Sequence, residues 1–102
     1  MFKQIRDGLR AAKVKHTLGI ASSAIAAGRI DLAGAPLQKA YNLCIDTTFA
    51  RMMHIELITF WRLTGLKLSE LGLPAEVTEP CEMMAALLQE RFDAGDYYRD
   101  SD

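Results

Sequence analysis

Between Pro36 and Gly65 the chain contains neither glycine nor proline, and this breaker-free stretch constrains the fold more than any other feature. Pro36 suits the first turn of a helix, where its missing N–H removes no bond, and Gly65 suits a helix stop. The spacing predicts one long central helix over about 36–64, whose run from Leu37 to about Leu63 is about 27 residues and roughly 40 Å long at 1.5 Å per residue. Its apolar residues lie on almost every side. Leu37, Ala40, Tyr41, Cys44 and Ile45 share one side, Leu43, Leu57 and Trp61 another, and Phe49, Met52, Met53, Ile55, Ile58 and Phe60 fill much of the rest. A helix apolar all round is central in its fold or buries a face against a partner. Leu37, Tyr41, Cys44, Phe49, Met52 and Trp61 are the expected core.

The flanking segments are helical too. Phe2, Ile5, Leu9, Ala12 and His16 recur at steps of three and four, the signature of one helical face. Lys3, Arg6, Arg10 and Lys13 form an adjacent basic stripe. This first helix continues through small residues to Ala27, with Gly28 as its stop. A last helix is expected from Thr78, a plausible N-cap with Pro80 in the first turn, to Ala94, closed by Gly95. No segment alternates in the manner of a strand. The fold class expected is all-α, a small three- to four-helix bundle, with residues 1–95 as a single helical domain and 96–102 as an acidic flexible tail.

Composition narrows the class further. Hydrophobic residues are 50% and charged residues 25% of 102, which separates the chain from disordered sequences. The net charge of −1 conceals a polarity. Residues 1–16 carry Lys3, Arg6, Arg10, Lys13 and Lys15 against Asp7, or +4; residues 70–102 carry nine acids against Arg91 and Arg99, or −7. Cys44 and Cys81 are too few for a disulfide framework and form no CxxC pair, so free thiols in a cytoplasmic setting are expected. No apolar run reaches the length of a transmembrane helix. The uncharged stretch Thr17–Gly28 follows a basic segment as in a secretory signal, but Asp7 interrupts the basic region and the stretch is mostly Ala, Ser and Gly.

Candidate sites are three. The basic stripe Lys3, Arg6, Arg10 and Lys13 could meet phosphates of nucleic acid, an anionic membrane or an acidic protein; the pI near 6.1 argues against a dedicated nucleic-acid module. Leu43, Leu57 and Trp61 form a candidate apolar interaction patch. Arg51, His54 and Arg62, with Thr47, share one face of the long helix and form a candidate anion site. No metal site or cofactor is expected: His54 and Glu56, two apart, point to different sides of a helix, and HxxxH, ExxH and CxxC are absent. No nucleophile–base arrangement or phosphate-binding glycine loop has readable spacing.

In one register His16, Leu18, Ala21, Ile25, Ala27, Ile30 and Leu37 resemble a histidine-phosphotransfer helix, which implies a four-helix bundle with His16 as phosphoacceptor; Gly19 and Ile20 depart from the family at its lysine and glycine positions. In another register Gly28, Ile30, Asp31, Ala33, Leu37, Ala40 and Tyr41 resemble part of a tetratricopeptide repeat, of which no second copy follows.

The function expected is therefore that of a non-enzymatic helical adaptor or regulatory protein. It acts by protein–protein binding, as a homodimer with the long helix near the interface or with an acidic protein partner. The alternatives are a nucleic-acid- or membrane-surface-associated regulator using the basic helix, and a phosphotransfer-like signalling domain.

Overall fold

The structure, a computed structural model, describes residues 2–99. It contains four α-helices, α1 (Phe2–Ala26), α2 (Gly34–Ile45), α3 (Arg51–Glu70) and α4 (Ala75–Asp93), with a 3-10 turn at Ile30–Leu32 before α2. Among the described residues there is no sheet; one isolated bridge joins Ala50 and Tyr98. The all-α class is as expected. The helices form two hairpin units, residues 1–48 and 49–102.

The single helix expected over 36–64 is divided. α2 ends at Ile45, and Asp46–Ala50 is non-helical. Asp46, Thr47 and Thr48 are the local cause, because short polar side chains offer the backbone bonds that compete with the helix. The Thr47 hydroxyl donates to the carbonyl of Leu43, and the Thr48 N–H donates to Oδ2 of Asp7 at 3.4 Å. Gly65, expected as a stop, lies inside α3. Helix α4 begins three residues before Thr78, with Pro74 as N-cap.

In the first unit α1 packs against α2 and the 3-10 turn. Its buried residues are Asp7, Ala11, Val14, Thr17, Leu18, Ala21 and Ile25. α2 answers with Ala40 and Cys44. Most of these side chains are small, which permits close helix approach. The buried face of α1 is therefore not the apolar line of Phe2, Ile5 and Leu9. Phe2, Ile5 and Leu9 are 88%, 58% and 70% exposed.

In the second unit α3 packs on α4. A Cβ placed on Gly65 would stand 3.3 Å from Cβ of Cys81, so the missing side chain sets how closely the helices cross. Leu57, Ile58, Trp61 and Leu68 of α3 meet a core with Cys81, Met84, Ala85 and Leu88 of α4. Cys44, Phe49 and Trp61 are buried as expected, Leu37 and Tyr41 are half-buried, and Met52 is exposed.

Helix ends follow the glycines. At Gly28 (φ 75°) the Arg29 N–H reaches the Ala24 carbonyl and the Gly28 N–H that of Ile25; at Gly95 (φ 76°) Asp96 and Gly95 repeat the pattern on Arg91 and Phe92. Both are Schellman caps that need a left-handed residue. Beyond Gly95, the segment expected as a free acidic tail is tied down as far as Tyr98. Its N–H donates to the Phe49 carbonyl (2.9 Å) and its carbonyl accepts from the Arg51 N–H (2.8 Å). The second bond satisfies an orphan donor of the first turn of α3. Residues 100–102 of the expected tail lie outside the described residues.

Replacing Gly65 with Leu should force α3 and α4 apart and lower unfolding stability by roughly 1–3 kcal/mol, as overpacked cores do. Urea denaturation checks this; an unchanged midpoint would mean that the Gly65–Cys81 crossing is not tight.

Candidate functional site

The outward face of α1 is the feature with the clearest chemical character. Burial of Asp7 turns the opposite side of the helix to solvent. Phe2, Ile5, Leu9, Ala12, His16 and Ile20, at helical steps of three and four, are all exposed there. Arg6 and Lys13 flank this ridge on one side and Lys15 on the other, all exposed. Lys3 is exposed and Arg10 half-buried, its guanidinium directed at the Asp46 carbonyl at 3.5 Å. The basic stripe is thus on the surface, where it borders an exposed apolar ridge. Asp7 is the only acid in α1 and it is wholly buried, with Arg6 Nε 3.6 Å from its Oδ1. The exposed surface of the helix consequently presents basic side chains and no acidic one.

The other two candidate sites are not assembled. Leu57 and Trp61 belong to the α3–α4 core and Leu43 is half-buried on α2 in the other unit. The break at Asp46–Ala50 resets the helical phase that had placed the three together. Of the proposed anion site, Arg51 is exposed and lies over the Phe92 ring (5.8 Å to its centroid), Arg62 donates to Oε1 of Gln89 (3.0 Å), and His54 is buried. Thr47 lies within the break, outside α3.

His54 instead anchors an aromatic cluster that the sequence did not disclose. Phe49 meets its ring edge-on at 5.9 Å, Phe92 is at 5.8 Å and Tyr97 at 6.3 Å, and Tyr97 stacks on Phe92 at 5.0 Å. Nε2 is 2.6 Å from the Leu88 carbonyl oxygen. A carbonyl only accepts, so Nε2–H donates and Nδ1 is the unprotonated nitrogen. Nδ1 is buried without a hydrogen-bond partner among the described residues. Burial holds the imidazole below its ordinary 6.5, with Arg91 acting the same way and the Leu88 carbonyl and Asp96 opposing. The cluster fastens α3, α4 and the segment after α4 to one another. It is a neutral clasp rather than an anion receptor.

Cys81, beside the Gly65 crossing, is buried, and desolvation followed by the charge of Glu82 pushes its thiol up to about 11. That is the opposite of an activated thiolate. Cys44 is also buried. Among the described residues no three His, Cys, Asp or Glu side chains gather as metal ligands, and no helix is long and apolar enough to cross a membrane. His16, the candidate phosphoacceptor, stands exposed on α1 beside Lys13 and Lys39 at the rim of a groove. No protein-family model matches the chain, and neither a curated protein nor a solved structure is significantly similar to it.

The clasp has a pH consequence with a definite sign. The unfolded chain binds a proton at His54 before the folded chain does as pH falls from 6.5. Stability is therefore full above that value and declines as pH falls below it, until the folded-state imidazole also titrates. The urea midpoint should drop as pH falls from about 6.5 to 5.5, and His54→Gln should flatten that slope. An equal slope in the variant would remove His54 as its cause.

Proposed function

We propose that the protein is a non-enzymatic regulator that associates with an anionic membrane surface through the outward face of α1, acting from the cytoplasm. One observation carries the proposal: the ridge of Phe2, Ile5 and Leu9 is exposed and flanked on both sides by basic residues, while the sole acid of the helix is buried. A helix of this kind lies in the interfacial plane, with its apolar residues below the headgroups and its lysines and arginines at their level. Each large apolar side chain gains up to about 1.5–3 kcal/mol on leaving water. Each Lys or Arg near an anionic leaflet adds about 1 kcal/mol.

The competing occupants fit less well. Nucleic acid would meet the cations and leave the ridge in water. A second copy of the chain, docked through α1, would oppose basic flank to basic flank. Two cysteines, too few for a disulfide framework, and the anionic charge of cytoplasmic leaflets favour the same compartment. A protein partner is the second reading, with the chain as an adaptor or homodimer. It is favoured by Leu63, Leu66 and Met83, exposed large hydrophobics of the second unit, and light scattering over a concentration series tests its dimeric form.

The full chain should sediment with phosphatidylserine-containing vesicles, remain in solution with purely zwitterionic ones, and be released as salt screens the attraction. Leu9→Glu should abolish binding while circular dichroism stays unchanged. Failure to sediment with anionic vesicles at low salt would refute the membrane reading.

A further inference from the structure

Beside the ridge, the first unit contains a groove of about 410 Å3 between α1, the 3-10 turn and α2. That volume is in the range of small-ligand sites, about 300–1,000 Å3. Its lining divides by chemistry. Ile20, Leu32 and Pro36 give it apolar walls, and Lys13, His16 and Lys39 supply two ammonium groups and an imidazole, with no acidic residue in the lining among the described residues. His16 and Ile20 also belong to the outward ridge of α1, so the groove is continuous with the face assigned to the bilayer. Lys39 enters from α2; it owes its place to the fold and is not one of the basic residues of α1.

We propose that this groove binds the headgroup of a lipid ending in a phosphate monoester, with the phosphate between Lys13, His16 and Lys39 and the adjoining glycerol and acyl carbons against Ile20 and Leu32. The inference rests on the membrane reading of α1 and adds selectivity to it. A phosphate monoester carries about −1.5 to −2 charges and three acceptor oxygens at neutral pH, which matches a groove lined by three donor side chains better than the single net charge of phosphatidylserine does. The ammonium groups bind it as point charges, and an imidazole N–H supplies a directed hydrogen bond. The apolar walls distinguish a lipid-borne phosphate from a free one, because only the lipid brings hydrocarbon to cover them. Lys13 serves both face and groove, whereas Lys39 serves the groove alone.

The test uses the full chain and two vesicle sets of equal surface charge, one containing phosphatidylserine and the other phosphatidic acid. Wild type should bind the phosphatidic acid set more tightly by about five- to tenfold, the scale of one or two added cation contacts at a membrane. Lys39→Gln should bring that affinity down to the phosphatidylserine level and leave phosphatidylserine binding unchanged. Leu9→Glu should abolish both. Equal affinity for the two sets, or a preference that survives Lys39→Gln, overturns the groove assignment while leaving the α1 reading intact. Binding to both sets that survives Leu9→Glu, or binding to neither, overturns the α1 reading and the groove with it. Soluble glycerol phosphate should fail to compete; competition equal to that of the vesicles would show a free-phosphate site and overturn the lipid assignment.

Discussion

The rotational setting of α1 determines everything else about the first unit. A helix is rigid about its axis, so burying one side chain fixes the direction of all the others. The side chain that matters here is Asp7, a carboxyl with no exposed surface that accepts the Thr48 N–H. That bond also holds the chain at the point where it leaves α2 and the helix breaks. With Asp7, Val14, Leu18 and Ile25 inward, Phe2, Ile5 and Leu9 have no direction left but outward. The buried acid, the broken helix and the exposed ridge are consequences of one arrangement.

The two units solve polar burial differently. In the first, a carboxyl is brought inside and given a backbone donor. In the second, an imidazole is brought inside as a neutral group, donating through Nε2 to Leu88 and surrounded by Phe49, Phe92 and Tyr97. The surrounding rings tolerate a neutral imidazole, and no hydrogen-bond partner stands at Nδ1 among the described residues. Protonation of Nδ1 would place an unsatisfied donor in that box, and buried unsatisfied donors are expensive. His54 thus acts as a structural fastening whose strength depends on staying uncharged.

Much of the secondary structure was legible in the sequence, because helix ends are local chemistry. Gly28 and Gly95 announced their caps, and Pro36 its first turn. The break after Ile45 was less legible: Asp46-Thr47-Thr48 is a weak signal between two strong helical runs, and its decisive bond comes from Asp7, far away in the chain. The direction of the apolar line of α1 was not legible for a related reason. Periodicity locates an apolar line but does not say which way it points, and the inward face interleaves Val14, Leu18 and Ile25 with alanines, Thr17 and Asp7, which blurs its apolar signal. Leu57 and Trp61 were grouped with Leu43 only because the helix was drawn unbroken. The His54 cluster draws on residues 49, 54, 92 and 97, so no local pattern could reveal it. Lys39 was overlooked beside His16 because the 3-10 turn and α2 bring it there.

Exposed apolar residues are not in themselves a sign of function, since every folded surface carries some. The arrangement on α1 differs in three respects that act together. Phe2, Ile5, Leu9, Ala12 and Ile20 stand on one helical line, which makes them a continuous surface rather than scattered points. They lie opposite the side packed on α2, so no modest rotation of the helix could bury them without expelling Asp7 from its bond with Thr48. And the residues flanking them are cationic, which keeps the ridge soluble in water yet selects what may cover it. An apolar strip with that border excludes copies of itself by like charge and accepts surfaces that are anionic above and apolar beneath. A bilayer leaflet has that layered order at every point, whereas a protein partner would have to reproduce it along the length of the helix.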